Sequence, residues 1–475
     1  MSIAEETAWL DATAQAELVA SGEVSAPELM EAAIERAERL NPDINAIVTP
    51  LHDFARKEAS NPGDGPLAGV PFLLKDLGAE LGGAPTNMGS RFMDGYISPQ
   101  DTELTARFRR AGLVIFGKTN TPEIGLMPTT EPDRFGPSRN PWDLSLGTGG
   151  SSGGSSAAVA AGIVSVAHAN DGGGSIRIPG AVCGLVGLKP TRGRNSLAPL
   201  NGDIGNGIVH EHVVCRSVRD SALVLDSTAG PMPGDPYYPP EPERPYAQEV
   251  GRDPRRLRIA VSDQPLTGAA VSDEVKAAVQ SAAKLCEDLG HEVIEAEPTL
   301  DRPKALKAFG RIWVGLLGHT MAHLARSTGK ELSEGDFEAA TWTMYRSSQR
   351  LTAGQYLLAV EDLQVVVRQV AAFFEDVDVW LTPTLCRRPV PLGYFDFSAN
   401  DRDEVIRRLG EYSGFTSLHN GTGNPAMTLP LQWTDDGLPL GVQIAGRYGD
   451  EATLFQLASQ LEAARPWAVR RPALA

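Results

Sequence analysis

Residues 147–193 read GTGGSSGGSSAAVAAGIVSVAHANDGGGSIRIPGAVCGLVGLKPTRG. The stretch holds two glycine-flanked serine clusters, Gly149-Gly150-Ser151-Ser152-Gly153-Gly154-Ser155-Ser156 and Asp171-Gly172-Gly173-Gly174-Ser175-Ile176-Arg177. A small-residue apolar run, 157–167, lies between them. Glycines reach positive φ and let backbones approach closely, so such loops turn N–H groups toward something negative, a phosphate or the oxyanion of acyl transfer. Gly/Ser runs also make flexible linkers. A linker would not enclose an apolar run that reads as a buried helix and strand.

On the N-terminal side, Gly69-Val70-Pro71-Phe72-Leu73-Leu74-Lys75-Asp76 reads as an apolar strand ending in a lysine. A helix at 102–111 leads to a second strand, 113–116, closed by Gly117-Lys118-Thr119-Asn120. A third lysine, Lys189, follows an apolar run at 184–188. Helices fill 5–41, with a capping box at Ser25-Ala26-Pro27-Glu28 and an expected stop at Asn41-Pro42. Further elements are a strand at 44–48, helices at 51–60 and 216–229, and a proline-dense connection at 231–245.

Strands at 257–261 and 291–296 flank a helix at 273–289, and 302–375 reads as largely helical. A strand at 377–381, an exposed loop and helix around 396–408, strands at 426–431 and 441–445, and a helix at 451–464 complete the pattern. Alternating strands and helices predict an α/β layered fold. No break separates independent domains, so 1–475 reads as one. Its parts are a helical segment (1–65), a core (66–230), a more variable pocket-forming region (231–425) and returning strands and helix (426–475).

The formal net charge of −17 opposes binding to nucleic acid or anionic membranes. The cysteines at 183, 215, 286 and 386 form no C-x-x-C pair, which argues against a disulfide framework or structural zinc. The acidic start MSIAEETAWLDATAQ lacks the apolar core of a signal peptide, and the run at 157–167 is too short to span a bilayer. A cytoplasmic location is expected.

Gly149-Gly150-Ser151-Ser152-Gly153 matches the G-x-S-x-G elbow, but that motif needs a strand directly before it, and residues 140–147 read as loop. Ser327-Thr328-Gly329-Lys330 matches S-x-x-K without its companion motifs and reads as a helix-end turn. Neither glycine cluster is followed by the G-K-[ST] of a phosphate loop. His168, inside an apolar strand-like segment, reads as a packed core residue. A lysine whose pKa is lowered by burial can replace histidine as the base for a serine. On residue chemistry alone Lys75, Lys118 and Lys189 are equally eligible.

The stretch GGSSGGSSAAVAAG…NDGGGSIRIPG…GLKPTRG resembles the signature of the amidase signature family of serine hydrolases. Further matches are Gly117-Lys118-Thr119-Asn120, Asn424-Pro425-Ala426 and Gly437-Leu438-Pro439-Leu440-Gly441-Val442-Gln443, so the likeness covers nearly the whole chain. The resemblance implies the amidase signature fold, an α/β fold with a large mixed β-sheet core covered by helices on both faces, and a Ser–cis-Ser–Lys triad made of Ser175, Ser151 and Lys75. The separations of 24 positions between the serines and 76 between Ser151 and Lys75 fit that pattern. It further implies that Ser175 attacks an amide carbonyl and forms an acyl-enzyme, that Ser151 relays protons to neutral Lys75, and that the peptide before Ser151 is cis. The N–H groups of Gly172, Gly173, Gly174 and Ser175 would form the oxyanion hole, and Ser152, Asp171 and Arg177 would brace the loops. Gly172 stands where the family usually has threonine, which keeps the N–H donors and is expected to loosen them.

No cofactor or metal is implied, and the expected partner is a small amide substrate, with a homodimer as a candidate assembly. The runs TAQAELVASGEVS…NPDINAIVTPL and TTEP…NPW resemble the subgroup acting on the cyclic dimer of 6-aminohexanoate. A second reading, the glutamine-hydrolysing subunit of a tRNA-dependent amidotransferase, usually carries K-D-N where this chain has Lys75-Asp76-Leu77. A third, a non-catalytic ligand-binding relative, is opposed by three intact triad positions. Trp313, Leu316, Trp342, Tyr345 and Phe415, from the helical stretch 302–375 and the loop 385–425, are the expected pocket wall and favour an uncharged amide.

Overall fold

Strand β2 (Pro71–Lys75) is buried along its whole length because apolar side chains leave it on both sides. Phe72 and Leu74 enter one core layer and Leu73 the other, as the period of two in a strand requires. Each such side chain, fully buried, contributes roughly 1.5–3 kcal/mol. The computed structural model describes residues 2–397 and 402–474, so part of the expected loop at 396–408 lies outside the described residues.

Around β2, chain order supplies β1 (Ile47–Pro50), β3 (Val114–Thr119), β4 (Arg139–Asn140), β5 (Asp143–Gly147), β6 (Val166–Asp171), β7 (Val186–Lys189) and β8 (His210–Cys215). The later strands are β9 (Arg258–Val261), β10 (Glu292–Glu295), β11 (Val379–Pro383), β12 (Ala426–Trp433) and β13 (Pro439–Gly446). Eleven of them form one sheet in the order β1-β3-β2-β6-β8-β7-β12-β13-β11-β9-β10. β2 runs parallel to β3 and β6, and β9 parallel to β10 and β11; the joins through β8, β7, β12 and β13 are antiparallel. Helices cover both faces: Glu103–Arg110, Val218–Thr228, Asp273–Asp288 and Glu451–Ala464 on one, Ala26–Ile44 and Gly153–Ala160 on the other. The expected α/β architecture is therefore present.

Three local expectations differ. The helix Ala26–Ile44 runs through Pro42, because a proline in the last turn removes only one terminal hydrogen bond; the left-handed Asn45 ends it. Residues before the first serine cluster form β5, not a loop, but β5 pairs with β4 and, through one isolated bridge, with Pro391, and is no strand of the main sheet. β8 lies in a segment the sequence left unassigned, and its polar residues His210, Glu211 and His212 are buried.

Candidate active site

The parallel strands β2, β3 and β6 end side by side at Lys75, Thr119 and Asp171, and the crevice beyond strand ends is where open α/β sheets bind ligands. The two glycine–serine clusters occupy that crevice. The first passes into the helix Gly153–Ala160, whose start presses so closely on the end of β3 that a Cβ at Gly154 would lie 2.5 Å from the Asn120 nitrogen. The second follows β6 directly, with Gly174 at φ +137 and a side chain there excluded by Thr416 at 2.4 Å. Both clusters are almost wholly buried, unlike a linker.

Lys75 Nζ lies 2.6 Å from Ser151 Oγ and 2.6 Å from Asn170 Oδ1. The Gly150–Ser151 peptide is cis. Burial lowers the Lys75 amine from 10.5 to about 7, against the opposing pull of Glu211 and then Asp171. The other two lysines meet no cluster serine. Lys118 pairs with Asp76 at 3.6 Å and donates to the Thr86 hydroxyl, while Lys189 donates to the Pro190 carbonyl at 2.8 Å. Of the three lysines left eligible by chemistry, the geometry brings Lys75 to a serine.

Ser175 and Ser151 open into one cavity of about 170 Å³. Their loops are stitched together by Ser152, whose N–H donates to the Ser175 carbonyl at 3.3 Å and whose hydroxyl donates to the Asn170 carbonyl at 3.2 Å. Asp171 accepts from the N–H groups of Gly174 (2.7 Å) and Ile176 (3.2 Å) and from Arg177 Nε (2.9 Å). Burial alone would raise its pKa, but the Arg177 charge and hydrogen bonds hold it well below the usual carboxylate range. Arg177 also reaches the Thr416 carbonyl, Gln443 Oε1 and Asn420 Oδ1 at 2.9, 2.9 and 2.7 Å.

One expected oxyanion donor is engaged elsewhere: the Gly174 N–H is taken up by Asp171. Among the described residues the N–H groups of Gly172, Gly173 and Ser175 carry no such bond.

The cavity wall corrects the expected one. Trp313 and Leu316 line it, with Leu317, Thr320 and Leu324 from the same helix, Arg302–Thr328. Trp342 and Tyr345 instead pack in the cluster behind Leu317 and Leu324, and Phe415 belongs to the main core. Among the described residues nothing from 385–425 lines this cavity; much of its remaining wall comes from 77–80, 124–126 and 196–204, turn-rich segments with no periodic pattern to reveal them, with Met88, Thr102, Leu104 and Val209 beside them. Asn170 and Glu211 are further site residues the sequence reading missed.

His168 is a buried core residue as expected, yet it is bonded to the site. Its Nδ1 accepts the Lys75 backbone N–H at 3.2 Å and its Nε2 lies 2.7 Å from Glu211 Oε2. Among the described residues no helix is long and apolar enough to cross a membrane.

Comparison with known proteins agrees with this architecture. The family profile described as Amidase matches residues 28–455. A 6-aminohexanoate-cyclic-dimer hydrolase of Paenarthrobacter ureafaciens is 42% identical, over 98% of this chain and 97% of that protein. A solved structure of a 6-aminohexanoate cyclic dimer hydrolase superposes with TM-score 0.93 at 40% identity, covering 98% of this chain and 99% of the other. A bacterial aryl acylamidase of the amidase signature family superposes with TM-score 0.87 at 27% identity, covering 97% of each chain. With the profile spanning most of the chain and the fold shared end to end, this protein belongs to the amidase signature family and is an amidase.

Proposed function

We propose that this amidase hydrolyses a small uncharged linear or cyclic amide through an acyl-enzyme on Ser175. The observation that carries the reading is the contact of a fully buried Lys75 Nζ with Ser151 Oγ at 2.6 Å. An amine with a pKa near 7 is half neutral at pH 7 and has a lone pair for the Ser151 proton. Ser151 then accepts the proton of Ser175 as that oxygen attacks the amide carbon. The N–H groups of Gly172, Gly173 and Ser175 donate to the developing oxyanion, each worth roughly 3 kcal/mol at comparable sites. The relay runs backward to protonate the leaving amine, and water repeats the forward step on the acyl-enzyme. The whole chain acts as one catalytic domain in this proposal.

The cavity favours a neutral substrate over glutamine. Its acidic lining is Glu80 and Glu211 and its basic side chains are the imidazoles of His319 and His323, with no arginine or lysine among the described lining residues to meet a substrate carboxylate. The relatives named for hydrolysis of the 6-aminohexanoate cyclic dimer point to cyclic amides as the first compounds to try. A panel of aliphatic, aryl and cyclic amides against glutamine tests the proposal. Neutral amides are expected to lead by at least about tenfold in kcat/KM, a difference of about 1.4 kcal/mol. Glutamine preferred over every neutral amide would move the assignment to the amidotransferase subunit.

A further inference from the structure

The buried strand β8 places a carboxylate, Glu211, behind Lys75, and two separate hydrogen-bond paths join them. In the first, Glu211 Oε1 accepts from Asn170 Nδ2 at 3.3 Å, and Asn170 Oδ1 lies 2.6 Å from Lys75 Nζ. In the second, Glu211 Oε2 lies 2.7 Å from His168 Nε2, and His168 Nδ1 accepts the Lys75 backbone N–H at 3.2 Å.

The chemistry of these groups orients every member. His168 Nδ1 accepts, so in the neutral ring Nε2 carries the hydrogen and donates it to Glu211. Asn170 Nδ2 also donates to the Leu77 carbonyl at 2.9 Å, so its two donors are spent and its oxygen must face the lysine. Both Glu211 oxygens therefore act as acceptors, as a carboxylate's do. A neutral Lys75 amine has two hydrogens and one lone pair. Giving one hydrogen to Asn170 turns the lone pair toward Ser151.

We infer that Glu211 is a positioning residue for Lys75, aiming the amine at Ser151 through Asn170 and seating its backbone through His168. The inference rests on Lys75 as the base of the proposed reaction. The groups facing Lys75 from its neighbours are Glu211 on β8, Asp171, Asn170 and His168 on β6, and Ser151. Lys118 on β3 is bound to Asp76. Asp171 is already committed to Arg177, and so the Glu211 charge is the one tied to Lys75 by hydrogen bonds on both paths.

The test is the pH profile of kcat/KM for a neutral amide with the full-length wild-type protein, Glu211→Gln and Glu211→Asp. Removing a negative charge lowers the lysine's proton affinity, so the acid limb of Glu211→Gln is expected to move down by about half a pH unit or more. Its kcat should fall at least about tenfold with KM little changed, because the lone pair is no longer held on Ser151. Glu211→Asp keeps the charge but not the reach, so kcat should drop while the acid limb stays near the wild-type position. A wild-type limb near pH 7 that does not move in Glu211→Gln overturns the inference. So does a limb that moves equally in both variants; should the Gln variant not fold, a displaced acid limb or an unchanged kcat in Glu211→Asp overturns it alone. A wild-type profile with no acid limb fails the Lys75 reading itself, an outcome distinct from either.

Discussion

Trp313 lies flat enough against Gly172 that a Cβ on the glycine would stand 3.1 Å from Cζ3 of the indole. Phe309, stacked on Trp313 at 6.0 Å between ring centroids, extends the same surface over Gly173. The side chain missing from position 172 is thus replaced by an aromatic wall from the helix Arg302–Thr328. The loosening expected from a glycine here is opposed by this contact.

Gly172→Thr should drive the loop and the indole apart. A shift of that kind is expected to cost about tenfold or more in kcat/KM, since displacements near 1 Å at a reacting centre can cost about a hundredfold. Combining Gly172→Thr with Trp313→Ala should recover part of the loss. Two losses that simply add would show that the residues act independently.

Ser175 is 8% exposed and opens into the cavity, so a fluorophosphonate should label it, and peptide mapping should find the adduct there. Ser175→Ala is expected to abolish both labelling and turnover while melting near the wild-type temperature. A label on Ser151 in the wild-type protein would return the G-x-S-x-G reading of the first cluster.

Lys75 sets two pH dependences. In the proposed mechanism the neutral amine is the base, so kcat/KM should rise through about pH 7 and hold on the alkaline side. Stability follows the same group. The folded-state pKa of about 7 lies below the ordinary 10.5, so between these values the unfolded chain binds more protons, and stability rises with pH across that window. Below about pH 7 the penalty is complete. Lys75→Met should therefore be inactive yet more stable at pH 7, by on the order of 2 kcal/mol once the orphaned Asn170 oxygen is charged against the gain. In thermal melts the gain should shrink toward pH 10; a variant less stable at every pH would contradict the burial of a reluctant cation.

Arg177→Ala leaves the Asp171 carboxylate buried without its counter-charge, a change that costs about 3–5 kcal/mol in comparable pairs. Asp171 is held low in the folded state, so the stability it contributes is present above its ordinary pKa of 3.8 and is lost as pH falls below it. Denaturant melts at pH 7 should show the full loss in Arg177→Ala. Equal stability with the wild-type protein would mean that the pair is not what holds the second glycine loop.

The sheet was legible in the sequence from local signatures, whereas the pairing of Lys75 with Ser151 came from the family resemblance, since residue chemistry left three lysines eligible. β2 is an unbroken apolar run, and the glycines around Ser151 and Ser175 announce backbones in close approach. Glu211 was not legible. It sits in the polar run His210-Glu211-His212, which carries no strand pattern of its own, and its partners Asn170 and His168 lie on a different strand. The cavity wall was half legible for a similar reason: Trp313 and Trp342 are both aromatic residues on helices, and only packing decides which one faces Ser175. The engaged Gly174 N–H belongs to the same class, because one peptide's orientation is set by Asp171 and not by the glycine itself.

The tethering of Arg177 bears on how activity arises during synthesis. Its guanidinium holds the loop of Ser175 to acceptors at Thr416, Asn420 and Gln443, between 239 and 266 residues farther along the chain. A ribosome adding about 5–20 residues per second makes Lys75, Ser151 and Ser175 many seconds before it makes those anchors. The nascent chain thus carries every proposed reacting side chain while the Ser175 loop has its local partner Asp171 but none of these distal anchors. In the proposed mechanism, hydrolysis is therefore expected only after the growing chain has passed Gln443 and folded it against Arg177.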